Sequence, residues 1–167
     1  MIAIDPGRFN IVYAEEKLPD GSFKTYKLTR GQYYETCGFK ETNRLSKKWQ
    51  EKIAEEQKVF DEFSRKTIDV ERFDSHLANY VSVYDEMWRV KLGKKRARQS
   101  LRVHVKKQKV LDNFFQSMQA PGQAQPTIAY GKANFGSGGK GEVSVPTKYV
   151  KKVCKRYYNT EEVDEFS

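Results

Sequence analysis

The chain has 167 residues, 38% hydrophobic and 13% aromatic, enough for one folded domain with a core and too apolar for a disordered segment. Lys and Arg outnumber Asp and Glu by 31 to 22, giving a net charge of +9 and a pI near 9.4. That balance favours a polyanionic partner, nucleic acid first and an anionic membrane second. No apolar run is long enough to span a bilayer, and the N-terminus lacks the basic and apolar regions of a signal peptide, so a soluble intracellular protein is expected. Cys37 and Cys154 stand far apart with no CxxC, which indicates neither a disulfide framework nor a zinc site.

In chain order, Ile2-Ala3-Ile4-Asp5 reads as a strand stopped by Pro6, which cannot donate to a ladder, and Gly7, which tolerates turn geometry. The chain then returns through Asn10 to Glu15 as a second strand, which leaves Asp5 at the mouth of a hairpin. Asp-Pro-Gly reads first as an ordinary turn, although an aspartate so mounted also suits a metal ligand. Pro19-Asp20-Gly21 turns the chain into a third, antiparallel strand over 22–29. A polar loop with Gly31 and Gly38 is expected next. A helix capped by Thr42 or Asn43 follows, with Leu45, Trp49, Ile53, Phe60 and Phe63 on its inward face.

Asp69 caps the next helix, whose expected core stripe is Phe73, Leu77, Tyr80, Val81, Tyr84 and Trp88. The stripe resumes after Gly93 as Leu101, Val105, Leu111, Phe115 and Met118, so one long helix bent near Gly93 is predicted. Its middle carries Arg89, Lys91, Lys94, Lys95, Arg96, Arg98, Arg102, Lys106, Lys107 and Lys109 with no acid among them. A solvated helix mixes both signs to gain i,i+4 pairs, so this one-signed run favours contacts with a phosphate backbone over a plain solvated face. Lys95-Arg96-Ala97-Arg98 also fits a nuclear import signal.

After a break over 120–126, Thr127 to Tyr130 reads as a short buried strand ending at Gly131. The glycine-rich 136–141 reads as a linker and not as a phosphate cradle, since no Ser or Thr follows its lysine. A helix opens at Pro146 or Thr147, and Val163 belongs to a last strand with Asp164-Glu165 at its mouth. The fold class is therefore α/β: a mixed sheet of three antiparallel strands over 1–30, a long helical insertion over 42–119, and strand, helix, strand over 126–167. Right-handed crossovers set strands one, four and five side by side, so that Asp5, Gly131 and Glu165 meet at one sheet margin.

These pieces carry a family likeness. Ile4-Asp5-Pro6-Gly7-Arg8-Phe9-Asn10, the Trp49 and Trp88 helices, Tyr130-Gly131-Lys132-Ala133-Asn134-Phe135, Val145-Pro146-Thr147 and Val163-Asp164-Glu165-Phe166-Ser167 together resemble the RuvC nuclease domain, of ribonuclease H-like fold. More closely, the chain looks like the Fanzor family of eukaryotic and viral RNA-guided endonucleases, relatives of bacterial TnpB, across nearly its whole length. The resemblance implies a transposon-associated DNA endonuclease that depends on Mg²⁺ or Mn²⁺. Its metal-binding and catalytic carboxylates would be Asp5 and Glu165, or Asp164 in place of Glu165. The implied partners are DNA and a guide RNA, with no membrane and no small-molecule substrate, and the implied location is nuclear, viral or otherwise intracellular.

The departures shape the expectation of activity. Bacterial relatives place a glutamate where this chain has Gly131, and the family's last aspartate and its cysteine-rich segment would follow Ser167. The guide and target regions that precede the nuclease domain would lie before Asp5. A partial nuclease domain with little activity of its own is thus expected, because two carboxylates hold a pair of Mg²⁺ ions poorly. The alternative is a non-catalytic nucleic-acid-binding module derived from such a nuclease, using the same basic surface.

Overall fold

The computed structural model describes residues 2–64, 66–119, 126–132 and 146–164. Residues 120–125 of the break expected over 120–126, the glycine-rich 136–141 and Glu165 lie outside the described residues. The chain divides into two compact units, one of Met1–Gly38 with Val105–Ser167 and one of Phe39–His104.

The first unit is α/β, with a mixed five-stranded open sheet. Its strands are β1 (Ile2–Asp5), β2 (Asn10–Lys17), β3 (Phe23–Thr29), β4 (Thr127–Gly131) and β5 (Asn159–Val163), in the order β3-β2-β1-β4-β5. β1 to β3 pair antiparallel, and β1, β4 and β5 pair parallel. Pro6 ends β1, and the Gly7 N–H donates to the Asn10 carbonyl at 2.8 Å to close the turn. A Cβ on Gly7 would lie 3.1 Å from that oxygen, so glycine keeps the turn tight. Alternation along the strands buries Ile2, Ile4, Val12, Ala14, Leu28, Ile128 and Tyr130. The helical part of the same unit adds Tyr33, Leu111, Phe115, Met118, Val150 and Val153 to the core, and Tyr158 joins them from just before β5.

Residues 30–36 correct the sequence reading. In place of a polar loop they form α1 (Arg30–Thr36), so helix begins at Arg30 and not at residue 42. The Thr29 hydroxyl accepts the Gln32 N–H at 3.2 Å and the Gln32 side chain accepts the Thr29 N–H at 3.0 Å, a reciprocal cap written in the sequence as Thr-x-x-Gln. Gly38, at φ +75°, turns the chain out of the helix.

Cys37, next to it, and Cys154, in α6 (Thr147–Cys154), are both fully buried. Burial raises both thiols, Cys154 to about 12. The thiolate is the nucleophile, so neither is expected to be alkylated by iodoacetamide in the native protein near pH 8.5, where a free cysteine is about half ionised. Mass spectrometry should count no adducts until denaturant is added; native labelling would contradict the burial.

In the second unit, the helix expected across Leu45, Trp49 and Phe60 is two, α2 (Phe39–Glu51) and α3 (Ala54–Asp61), broken at Ile53. Ile53 is buried, and the break loses little because its N–H still donates to Gln50 O and its carbonyl accepts from Gln57. The Asp69 carboxylate accepts the Glu71 and Arg72 N–H groups at 3.0 and 3.3 Å, capping α4 (Val70–Lys91). α4 ends at Leu92, and α5 (Lys94–Met118) begins beyond Gly93, so the predicted single bent helix is two helices. The stripe expected to be core is instead largely exposed, with Val81 at 71%, and α4 buries His76, Val83 and Met87 toward α3. The Asn79 amide donates to Val59 O at 3.0 Å, and the Phe60 ring lies 5.3 Å from His76, fixing which side of α4 meets α3.

Candidate functional site

The parallel core of the sheet sets its C-terminal margin. Ile4 is paired with Tyr130, so Asp5 lies level with Gly131, and Gly131 is paired with Val163. Asp5, Gly131 and Val163 therefore form one row across β1, β4 and β5. The alternation that buries Ile4 turns Asp5 to the opposite face, where it is exposed. Two of the three margin positions expected from the sequence, Asp5 and Gly131, are thus brought together, while Glu165 lies outside the described residues two positions beyond Val163.

On that face, a cavity of about 280 Å³ is lined by Ala3, Asp5, Tyr13, Glu15, Gly131 and Val163 among others. Tyr13 is paired with Asp5 and Glu15 with Ala3, so the hairpin sets both beside the aspartate. The Tyr13 hydroxyl donates to Glu15 Oε1 at 2.6 Å, and this hydrogen bond raises the phenol above its ordinary value. Ala3, Ala129 and Gly131 leave room above the sheet. The cavity holds two carboxylates, oxygen donors of the kind hard divalent cations take, and a phenol whose proton is held by Glu15. Among the described residues, no three His, Cys, Asp or Glu side chains converge as a metal set.

Asp164, the alternative to Glu165, follows β5, and its Oδ2 lies 3.7 Å from Lys132 Nζ. The Lys132 N–H donates to Val163 O at 3.0 Å, fastening the ends of β4 and β5. Nearby, Lys151 pairs with Glu162 and holds that carboxyl below its usual range.

The basic residues lie on α4 and α5. Lys95, Arg98, Arg102, Lys106 and Lys109 follow a three-four-four-three spacing, one face of α5, and all five are exposed. Arg96 and Lys107 are half-buried, and Lys106 approaches Gly38, where a Cβ would lie 3.2 Å from its Nζ. Arg89 is engaged with Glu86, its Nε 2.8 Å from Oε2. Among the described residues, Lys91, Lys94, Lys95, Arg98, Arg102 and Lys109 make no ion pair with an acid, so this face carries unneutralised positive charge in water.

Glu15 and Tyr13 were not singled out from the sequence, where they read only as residues of a strand. Their place depends on hairpin register, which the turn residues alone do not give. Counting back from the Gly7–Asn10 turn would set Val12 opposite Asp5; the pairing of β1 with β2 is shifted by one residue, which sets Tyr13 there, and a period of two then puts Glu15 on the same face. Among the described residues no helix is long and apolar enough to cross a membrane. No protein-family model matches the chain, and neither does any curated protein.

Proposed function

We propose that the chain belongs to a RuvC-type, ribonuclease H-like nuclease domain of the Fanzor and TnpB kind, acting on DNA and bound to a guide RNA. The observation that carries the reading is the strand order β3-β2-β1-β4-β5 with Asp5 level with Gly131 and Val163 at one margin. Asp5 would hold the divalent ion, with Glu165 or Asp164 from the end of β5, and the Glu15 carboxylate shares the same cavity. A pair of such ions, when bound, activates water and stabilises the leaving oxygen of a phosphodiester. The α5 face would follow the phosphate backbone, leaving sequence to be read by base pairing. A second reading, a non-catalytic nucleic-acid-binding module, is favoured by Gly131, which offers no side-chain oxygen beside Asp5.

The Asp5→Ala variant separates the two. Asp5 is exposed, so its removal leaves the core intact. Mn²⁺ binding followed by water-proton relaxation should weaken at least tenfold in the variant, and any Mn²⁺-dependent nicking of labelled DNA should vanish. DNA affinity should persist. Equal metal binding and equal nicking in both proteins would end the nuclease reading and leave the binding module.

A further inference from the structure

The exposed side of α4 has a regular composition. Val70, Phe73, Leu77, Val81, Tyr84, Trp88 and Leu92 recur at intervals of three, four and four residues, twice over, and so share one face. Toward the C-terminal end of α4 this face becomes aromatic. The Tyr80 and Tyr84 rings are 5.3 Å apart and the Tyr84 and Trp88 rings 5.6 Å apart, both edge to face, while Phe60 of α3 lies 5.8 Å from Tyr80. Phe60, Tyr80, Tyr84, Met87, Trp88 and Lys91 line a groove of about 240 Å³ within the second unit. Tyr84 is 40% exposed and Trp88 37%, so this apolar surface faces water.

We propose that this groove stacks an unpaired base of a single-stranded nucleic acid. The inference rests on the nucleic-acid-binding part of the function above and not on its metal chemistry. Three features select this occupant. The lining is mainly ring faces and edges, on which every nucleobase can stack whatever its sequence. The volume lies below the roughly 300–1,000 Å³ of clefts that enclose drug-sized ligands, and suits a single flat ring system. Past Asp61, Glu62 and Asp85, which adjoin Phe60 and Tyr84 in the chain, charge on the C-terminal side complements a polyanion: Lys91 lines the groove, Glu86 is neutralised by Arg89, and no acid occurs from Met87 to Leu111. A strand with one base in the groove would meet Lys91 and then Lys94 and Lys95 in the next turns of chain, as single-strand sites pair an aromatic platform with a basic track.

The chain carries two tryptophans, Trp49 and Trp88, so fluorescence reads the groove directly once Trp49 is replaced by Phe. Titrating Trp49→Phe protein with an oligothymidylate should quench the remaining emission. Trp88→Leu keeps an apolar, helix-favouring side chain. It should weaken oligothymidylate binding by roughly five- to a hundredfold, the worth of one stacked base, with affinity for a blunt duplex unchanged. An unquenched Trp88 at saturating oligothymidylate, or an equal loss for duplex, would overturn the proposal while leaving nucleic-acid binding in place. Self-association that Trp88→Leu abolishes would overturn it in favour of a second copy of the chain. Failure of the wild-type protein to bind either nucleic acid would remove this proposal together with the functional reading it rests on.

Discussion

Phe115→Ala is expected to destabilise the sheet-bearing unit by about 3–5 kcal/mol, the usual cost of emptying a fully buried aromatic site. Phe115 is 0% exposed. Its ring lies 6.2 Å from Tyr157, nearly parallel, and 6.3 Å from Tyr158, edge to face. The Tyr158 hydroxyl donates to the Phe115 carbonyl at 3.1 Å, and the Tyr157 hydroxyl donates to Asp112 at 2.9 Å one turn away on the same helix. These bonds hold the walls of the site in place, so the cavity cannot collapse onto the missing ring, and the upper part of the range applies. Urea denaturation followed by circular dichroism should show the midpoint falling with an unchanged slope. Leu101→Ala on the same helix, at a residue 62% exposed, should stay within about 0.5 kcal/mol of wild type. Similar losses for the two variants would mean that α5 is not anchored through Phe115.

Replacing Lys95, Arg98, Arg102 and Lys109 together by Gln should lower DNA affinity by up to about a thousandfold at 0.1 M salt. The reason is counterion release: each phosphate contact contributes about 0.9 to the dependence of log affinity on log salt, so four contacts remove about 3.6 from the slope. The same substitutions should stabilise the free protein slightly, because Arg98 and Arg102 are like charges four residues apart and repel along the helix. The two readouts move in opposite directions, which a nonspecific folding defect cannot imitate. Lys106 is left in place because it packs beside Gly38 at the end of α1. An affinity loss that does not change with salt would show that the face does not neutralise phosphates.

Where sequence and structure part, the cause is physical and local. The α1 helix was legible in Thr29-x-x-Gln32, yet Gly31 and the surrounding polar residues read as a loop, since glycine disfavours helix and only the reciprocal cap offsets it. The break at Ile53 could not be read from periodicity, because Leu45, Trp49 and Ile53 keep helical spacing up to the residue at which the backbone departs. On α4, apolar residues occupy about half the circumference. Spacing identifies the helix and leaves open which side of that arc meets α3, and contact with Phe60 selects the His76 and Val83 side.

The candidate site divides in the same way. Strand endings at Pro6 and Gly131, the cap at Asp69, the one-signed run on α5 and the order of the parallel strands follow from side-chain chemistry and chain connectivity, and the amino-acid sequence determines them alone. Tertiary structure decided that Tyr13 and Glu15 share the cavity with Asp5, that Arg89 is engaged by Glu86, and that Tyr84 and Trp88 face water. Each of these depends on pairing register or on which face a neighbouring element covers. Such quantities are set by contacts between residues distant along the chain, and local pattern carries no information about them.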